Sequence, residues 1–258
     1  MNKIRVTRSI VPNLFTLMNL FGGFMAITRI SAEDFTGAAG FIVLAAVFDV
    51  LDGAVARLTQ STSEFGVELD SLCDAVSFGV APAFLLYKAH FHAQGDIGVI
   101  LASLPAIAGV LRLARFNIQF AESTDKRYFR GMPIPASALT LLSYTMFYHT
   151  GSQSYIIPHD WKPTCMTFLT LLVAGIMVST IKYDAVPFPS LKAFRERPVL
   201  MLYFICGLLA AILSRGAAVF PFMLSYILIG IVRGTYTVII SYSRTLDDLD
   251  EDSIDDDF

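Results

Sequence analysis

Charge is scarce in this 258-residue chain: only 16% of residues are charged, against about a quarter in ordinary soluble domains. That scarcity, with 55% hydrophobic residues and a mean hydropathy of +0.60, excludes a typical cytosolic enzyme. Cysteine is also rare. Cys73, Cys165 and Cys206 show no paired spacing, so neither a disulfide framework nor a zinc site is expected, and small buried helix residues are the simplest reading. No GxxxxGK phosphate loop, HExxH pair or internal repeat occurs. Positive charge is absent from the C-terminal stretch, where eight of the 22 acidic residues lie between Asp247 and Asp257. The remainder therefore carries a formal +5 against the chain's −3. A mildly basic body suits anionic headgroups or phosphate, and the acidic run at 246–258 reads as a disordered, solvated tail.

What the chain has in abundance is apolar runs near the ~20 residues that span a bilayer. They fall at 11–30, 37–57, 69–88, 97–118, 134–150, 164–182, 198–214 and 218–240. No alternating pattern suggests a barrel, so the expectation is an all-α polytopic bundle of about eight transmembrane helices in one domain, 1–245. The run after Lys3, Arg5 and Arg8 is too long for a signal-peptide core and reads as an uncleaved first helix. Most other basic residues, among them Arg57, Arg112, Arg115, Arg130 and Lys182, fall on the same side as these three. Only Arg29, Lys88, Lys162 and Arg215 fall on the other. The positive-inside rule then puts both termini in the cytoplasm. His90 and His92 lie on the sparsely basic side and read as surface residues.

Against this background the segment 48–87 stands out. It carries Asp49 and Asp52, spaced i, i+3, then Asp70 and Asp74, spaced i, i+4, so each pair shares one face of its helix. Ionised groups within spans cost about 2.5–3.5 kcal/mol or more, and they normally face an interior or an aqueous cavity. Consecutive antiparallel helices pack as neighbours, which would gather the four carboxylates. Their mutual repulsion is relieved by hard divalent cations such as Mg²⁺ or Mn²⁺, which can clamp oxygens during displacement at phosphorus. Gly53, Gly66 and Ala56 leave room for a ligand near the backbone, and Arg57 offers a planar fork to phosphate. Salt-bridged carboxylates, a proton relay, or a cation transporter using them as its ion path, are the competing readings.

The spacing Asp49-x-x-Asp52-Gly53-x-x-Ala56-Arg57, then Gly66-x-x-x-Asp70-x-x-x-Asp74, resembles the complete signature of the CDP-alcohol phosphotransferases. The flanks PNLFTLMNLFGG (12–23), ELDSLCDAVSFGVAPA, RLARFN (112–117) and GMPIPASA (131–138) are similar to the bacterial and archaeal phosphatidylserine synthases of that family; residues 150–258 add no resemblance. The resemblance implies a six-helix family core plus two helices, in the cytoplasmic (inner) membrane with the active site on the cytoplasmic face. It also implies a homodimer with no nucleic-acid partner. Asp49, Asp52 and Asp70 would ligate one of two divalent ions, and Asp49, Asp70 and Asp74 the second, with Asp74 also the general base. Gly53, Ala56, Arg57 and Gly66 would contact the CDP moiety, helped by Thr16. The implied reaction passes a phosphatidyl group from CDP-diacylglycerol to L-serine and releases CMP, without a redox or organic cofactor; glycerol 3-phosphate or an inositol phosphate are alternative acceptors. For the acceptor's carboxylate, Arg112, Arg115 and Arg130 are candidates with Asn117 beside them, although each also reads as a flanking or headgroup-binding charge. Glu68 or Glu122 are candidates for its ammonium.

Overall fold

The computed structural model describes residues 3–59, 61, 63–122, 128–151, 153–184, 195 and 198–236. The acidic tail, 246–258, lies outside them. Among the described residues eight main helices follow one another: α1 (Lys3–Ser31), α2 (Phe35–Leu58), α3 (Glu64–Ala89), α4 (Gly95–Glu122), α5 (Ile134–Ser143), α6 (Lys162–Val178), α7 (Pro198–Leu213) and α8 (Val219–Tyr236). Among the described residues six are long and apolar enough to cross a membrane: α1 from Ile10, α2, α3, α4, α6 with the turn before it, and α8. The protein is therefore an integral membrane helical bundle. The α7 helix has 16 residues, about 24 Å, and α5 reaches a similar length only through a π-helical turn, Tyr144–His149. Among the described residues each of the eight expected runs forms a helix, but six rather than eight are full spans, α5 and α7 being shorter. One addition was not expected, a two-stranded antiparallel ribbon of β1 (Tyr128–Arg130) and β2 (Lys182–Asp184), pairing Phe129 with Tyr183. It ties the α4–α5 connection to the end of α6, and the Gly131 N–H donates to Ile181 O at 2.8 Å.

The third helix begins at Glu64, earlier than its apolar run suggests. Ser63 caps it, its Oγ accepting from Gly66 N at 3.0 Å, which makes the polar turn part of the helix entry. Asp70 therefore sits well inside the helix. A π-helical turn, Ala75–Val80, follows Asp74 directly and precedes Pro82, whose missing N–H an unbroken α-helix would not accommodate.

The neighbourhood of α2 and α3 is organised around a third helix. It is α1 that packs along both, so the N-terminal part of α3 rests mainly on α1. Gly23 permits this approach: a Cβ there would stand 2.7 Å from Ser77 Cα. One apolar cluster, including Ile30, Ile42, Phe78, Leu85 and Ile134, fills the space among α1–α5. A second, including Met132, Met166, Tyr183 and Tyr226, joins α4–α6 to α8. Of the cysteines, Cys73 is buried, Cys165 half-buried and Cys206 exposed; the last departs from the buried reading. His92 is exposed as expected, but His90 is half-buried and packs edge-on against His149, with ring centroids 4.8 Å apart.

Candidate active site

Three helices converge on the acidic segment from one end of the bundle. Counting at 1.5 Å per residue from the span ends, Thr16, Asp52 and Asp70 lie about 9 Å inside. Asn19, Asp49 and Asp74 lie about 14 Å inside, forming a deeper layer. In that arrangement Asp49, Asp70 and Asp74 each present an oxygen within 4.8 Å of the others. Any two ionised carboxylates so close repel by about 3–4 kcal/mol at an effective dielectric of 20, so the trio calls for a positive partner. Asp70 Oδ1 is buried and has no hydrogen-bond partner, an acceptor left open for one. A set of hard carboxylate oxygens with an orphaned buried atom fits a divalent metal ion.

Asp52 stands apart from that trio. It is buried, and its Oδ2 accepts a hydrogen bond from Thr16 Oγ1 at 2.8 Å. The grouping thus matches the second of the two ligand sets implied by the resemblance, while the set Asp49, Asp52, Asp70 is not assembled as a close trio. Asp52 and Asp70 instead line a cavity of about 160 Å³ that also takes in Thr16, Gly53, Ala56, Arg57 and Gly66. All five residues singled out for the nucleotide therefore face one space. Gly53 is telling: the three atoms nearest an added Cβ would all belong to the Arg57 guanidinium, the first at 3.4 Å, an ordinary contact that does not require glycine there. The cavity gains the room instead.

Sequence reasoning missed Asn19. It is fully buried on α1, and its Nδ2 donates to Asp74 Oδ1 at 2.9 Å. Its backbone carbonyl accepts from Ser77 Oγ at 2.9 Å, on the π-helical turn. The available signal was spacing: Thr16, Asn19 and Gly23 follow at i, i+3 and i+7, a polar and small stripe on an otherwise apolar helix.

The candidate acceptor residues separate into groups. Arg112, buried, and Arg115, exposed, line a second cavity of about 280 Å³ together with Met177, Val178, Ser179 and Thr180 at the end of α6. Arg115 Nη1 donates to Val178 O at 2.7 Å, covering a carbonyl that the helix end leaves unpaired. Asn117 does not join them. Its Oδ1 accepts from Ser71 Oγ and its Nδ2 donates to Glu68 Oε2, both at 3.1 Å, which ties it and Glu68 to the α3–α4 seam. The side chains of Arg130 and Glu122 lie outside the described residues.

The sequence pattern of the CDP-alcohol phosphatidyltransferases matches residues 9–181. A Helicobacter pylori protein named CDP-diacylglycerol–serine O-phosphatidyltransferase is 34% identical over 228 residues, covering 88% of this chain and 92% of its own. That likeness extends well past residue 150, where the motifs offered none. A Methanocaldococcus jannaschii protein of the same name is 37% identical over 69% of this chain and 75% of its own. An archaetidylserine synthase from Methanothermobacter thermautotrophicus is 35% identical over 72% and 75%. Three carboxylates poised for a metal, a cavity bounded by the signature glycines and these relatives agree: the chain belongs to the CDP-alcohol phosphatidyltransferase family.

Proposed function

We propose that this protein is a phosphatidylserine synthase: it transfers the phosphatidyl group of CDP-diacylglycerol to the hydroxyl of L-serine and releases CMP. The observation that carries this reading is the Asp49, Asp70 and Asp74 trio beside the cavity bounded by Gly53, Arg57 and Gly66. The relatives' names supply the acceptor. The CDP moiety occupies that cavity, with Arg57 offering two parallel donors to its phosphates. The serine hydroxyl attacks the phosphorus that bears diacylglycerol. The P–O bond to CMP breaks, and the hydroxyl proton passes to Asp74. A hydroxyl is a weak nucleophile at neutral pH, so a carboxylate in reach contributes about 10²–10⁴-fold. Two divalent ions, Mg²⁺ or Mn²⁺, held by Asp49, Asp70 and Asp74 with Asp52 beside them, would neutralise charge on the diphosphate oxygens.

Arg112 and Arg115 border the acceptor's site in this reading, their guanidinium groups serving the serine carboxylate. Residues 1–245 form a single catalytic domain in the cytoplasmic membrane. The carboxylate end and both termini face the cytoplasm, and the working unit is a homodimer.

The test is CMP release by purified protein in mixed micelles of CDP-diacylglycerol with Mn²⁺ or Mg²⁺. L-serine should support release and yield phosphatidylserine. Release with glycerol 3-phosphate or an inositol phosphate, and none with serine, would move the chain to another branch of its family.

A further inference from the structure

We infer that Asn19 is the positioning residue for Asp74, the clamp that fixes which way its carboxylate points. The inference rests on the reading of Asp74 as a ligand and base. Its support is geometric. Asn19 and Asp74 are 55 residues apart, on different helices, and both are buried. The amide Nδ2 donates to Oδ1 at 2.9 Å, and this leaves Oδ2 as the oxygen not engaged by α1. The opposite amide orientation would put Asn19 Oδ1 against a carboxylate oxygen, so the partner decides the assignment.

The clamp is itself held at three points. Ser77 Oγ donates to the Asn19 carbonyl at 2.9 Å, Gly23 lets α1 approach Ser77, and the π-helical turn that carries Ser77 starts at the residue after Asp74. Both ends of the Asn19–Asp74 hydrogen bond are thus fixed by the same α1–α3 contact. Asn19 Oδ1 is buried with no hydrogen-bond partner, so the amide is not seated there to satisfy itself. A buried amide with one end unpaired costs stability, and its orientation of Asp74 is what it returns. The Thr16 hydroxyl does the same for Asp52 one helical turn away, which makes α1 a rail of neutral donors behind the acidic face.

The experiment uses Asn19→Leu, branched at the same carbon but larger and without a donor, and Asn19→Ser, smaller and able to bond back to its own helix. Two quantities are read on full-length protein in detergent: Mn²⁺ binding in the absence of substrate, by electron paramagnetic resonance, and kcat and KM for CDP-diacylglycerol. Outer partners of metal ligands are typically worth about 10–100-fold. Both variants should lose about 10-fold or more in Mn²⁺ affinity and in kcat, with KM within about twofold of wild type. If Asn19→Leu fails to fold, Asn19→Ser alone decides. Wild-type Mn²⁺ affinity and kcat in a folded variant overturn the inference, as does a change confined to KM. Failure of the proposed function shows separately, as absent CMP release by wild-type protein with serine, and the Mn²⁺ measurement needs no substrate.

Discussion

Buried polar side chains behave differently in two regions of this bundle. In α5, its π-helical extension and α6, Ser137, Thr140, Ser143, Thr145 and Thr170 are all buried. Each bonds to a carbonyl three or four residues back in its own helix. Such back-bonding satisfies a polar group locally and commits it to nothing outside the helix. On α1, Thr16 also reaches its own helix, at Pro12 O, but its shorter contact crosses to Asp52, and Asn19 crosses to Asp74. The lesson is that a polar residue in an apolar span marks chemistry when its partner is a charge on another helix. Composition alone does not separate the two regions.

The contrast can be broken most sharply at Asp74. Asp74→Asn should lower CMP release by about 10²–10⁴-fold, the range of a lost general base. The thermal midpoint in detergent should stay near wild type, and substantial residual turnover would remove Asp74 from that role. Thorough chelation should reduce release to background, with recovery on adding Mn²⁺; full activity after chelation would sink the metal reading of the Asp49, Asp70 and Asp74 trio. Thr16→Val, which deletes a hydrogen bond to a carboxylate, should cost about 10-fold in kcat. Gly53→Ala should not lower stability, because the nearest atoms to the new methyl belong to the Arg57 side chain and alanine suits a helix better than glycine. It should still raise KM for CDP-diacylglycerol several-fold, as a KM titration would reveal. At the far end of the scale, Thr140→Val and Thr170→Val should shift stability by no more than about 1 kcal/mol and leave turnover alone. A large loss of CMP release in either would erase the distinction between the regions.

Much of the site is legible in sequence because the carboxylates obey local arithmetic. Asp49 with Asp52, and Asp70 with Asp74, share faces by helical spacing alone, and forbidden charge in an apolar run announces them. The helices were legible for the same reason, since a hydrophobic run of span length has few other destinations. Asn19 was not, because its role depends on a residue 55 positions away and on how α1 rotates against α3. Ser63 as a cap moved the start of α3 ahead of its apolar run, which hydropathy cannot detect. The β1–β2 ribbon escaped notice because three-residue strands carry no usable alternation, and its pairing is set by where α4 and α6 end. The division of Arg112 and Arg115 from Asn117 is likewise a matter of which neighbouring helix each reaches.

The level at which the acidic residues sit has a further meaning. Helices of 22–28 residues measure about 33–42 Å, longer than the roughly 30 Å of hydrocarbon, so their ends reach among the headgroups. With such helices centred on the hydrocarbon, residues about 9–14 Å from their ends lie roughly 3–12 Å below its boundary, within one leaflet. A diacyl donor can thus arrive by sideways diffusion within its own leaflet, its tails never leaving oil, while its small polar co-reactant comes down from the water. Two reactants that share no solvent meet at one depth.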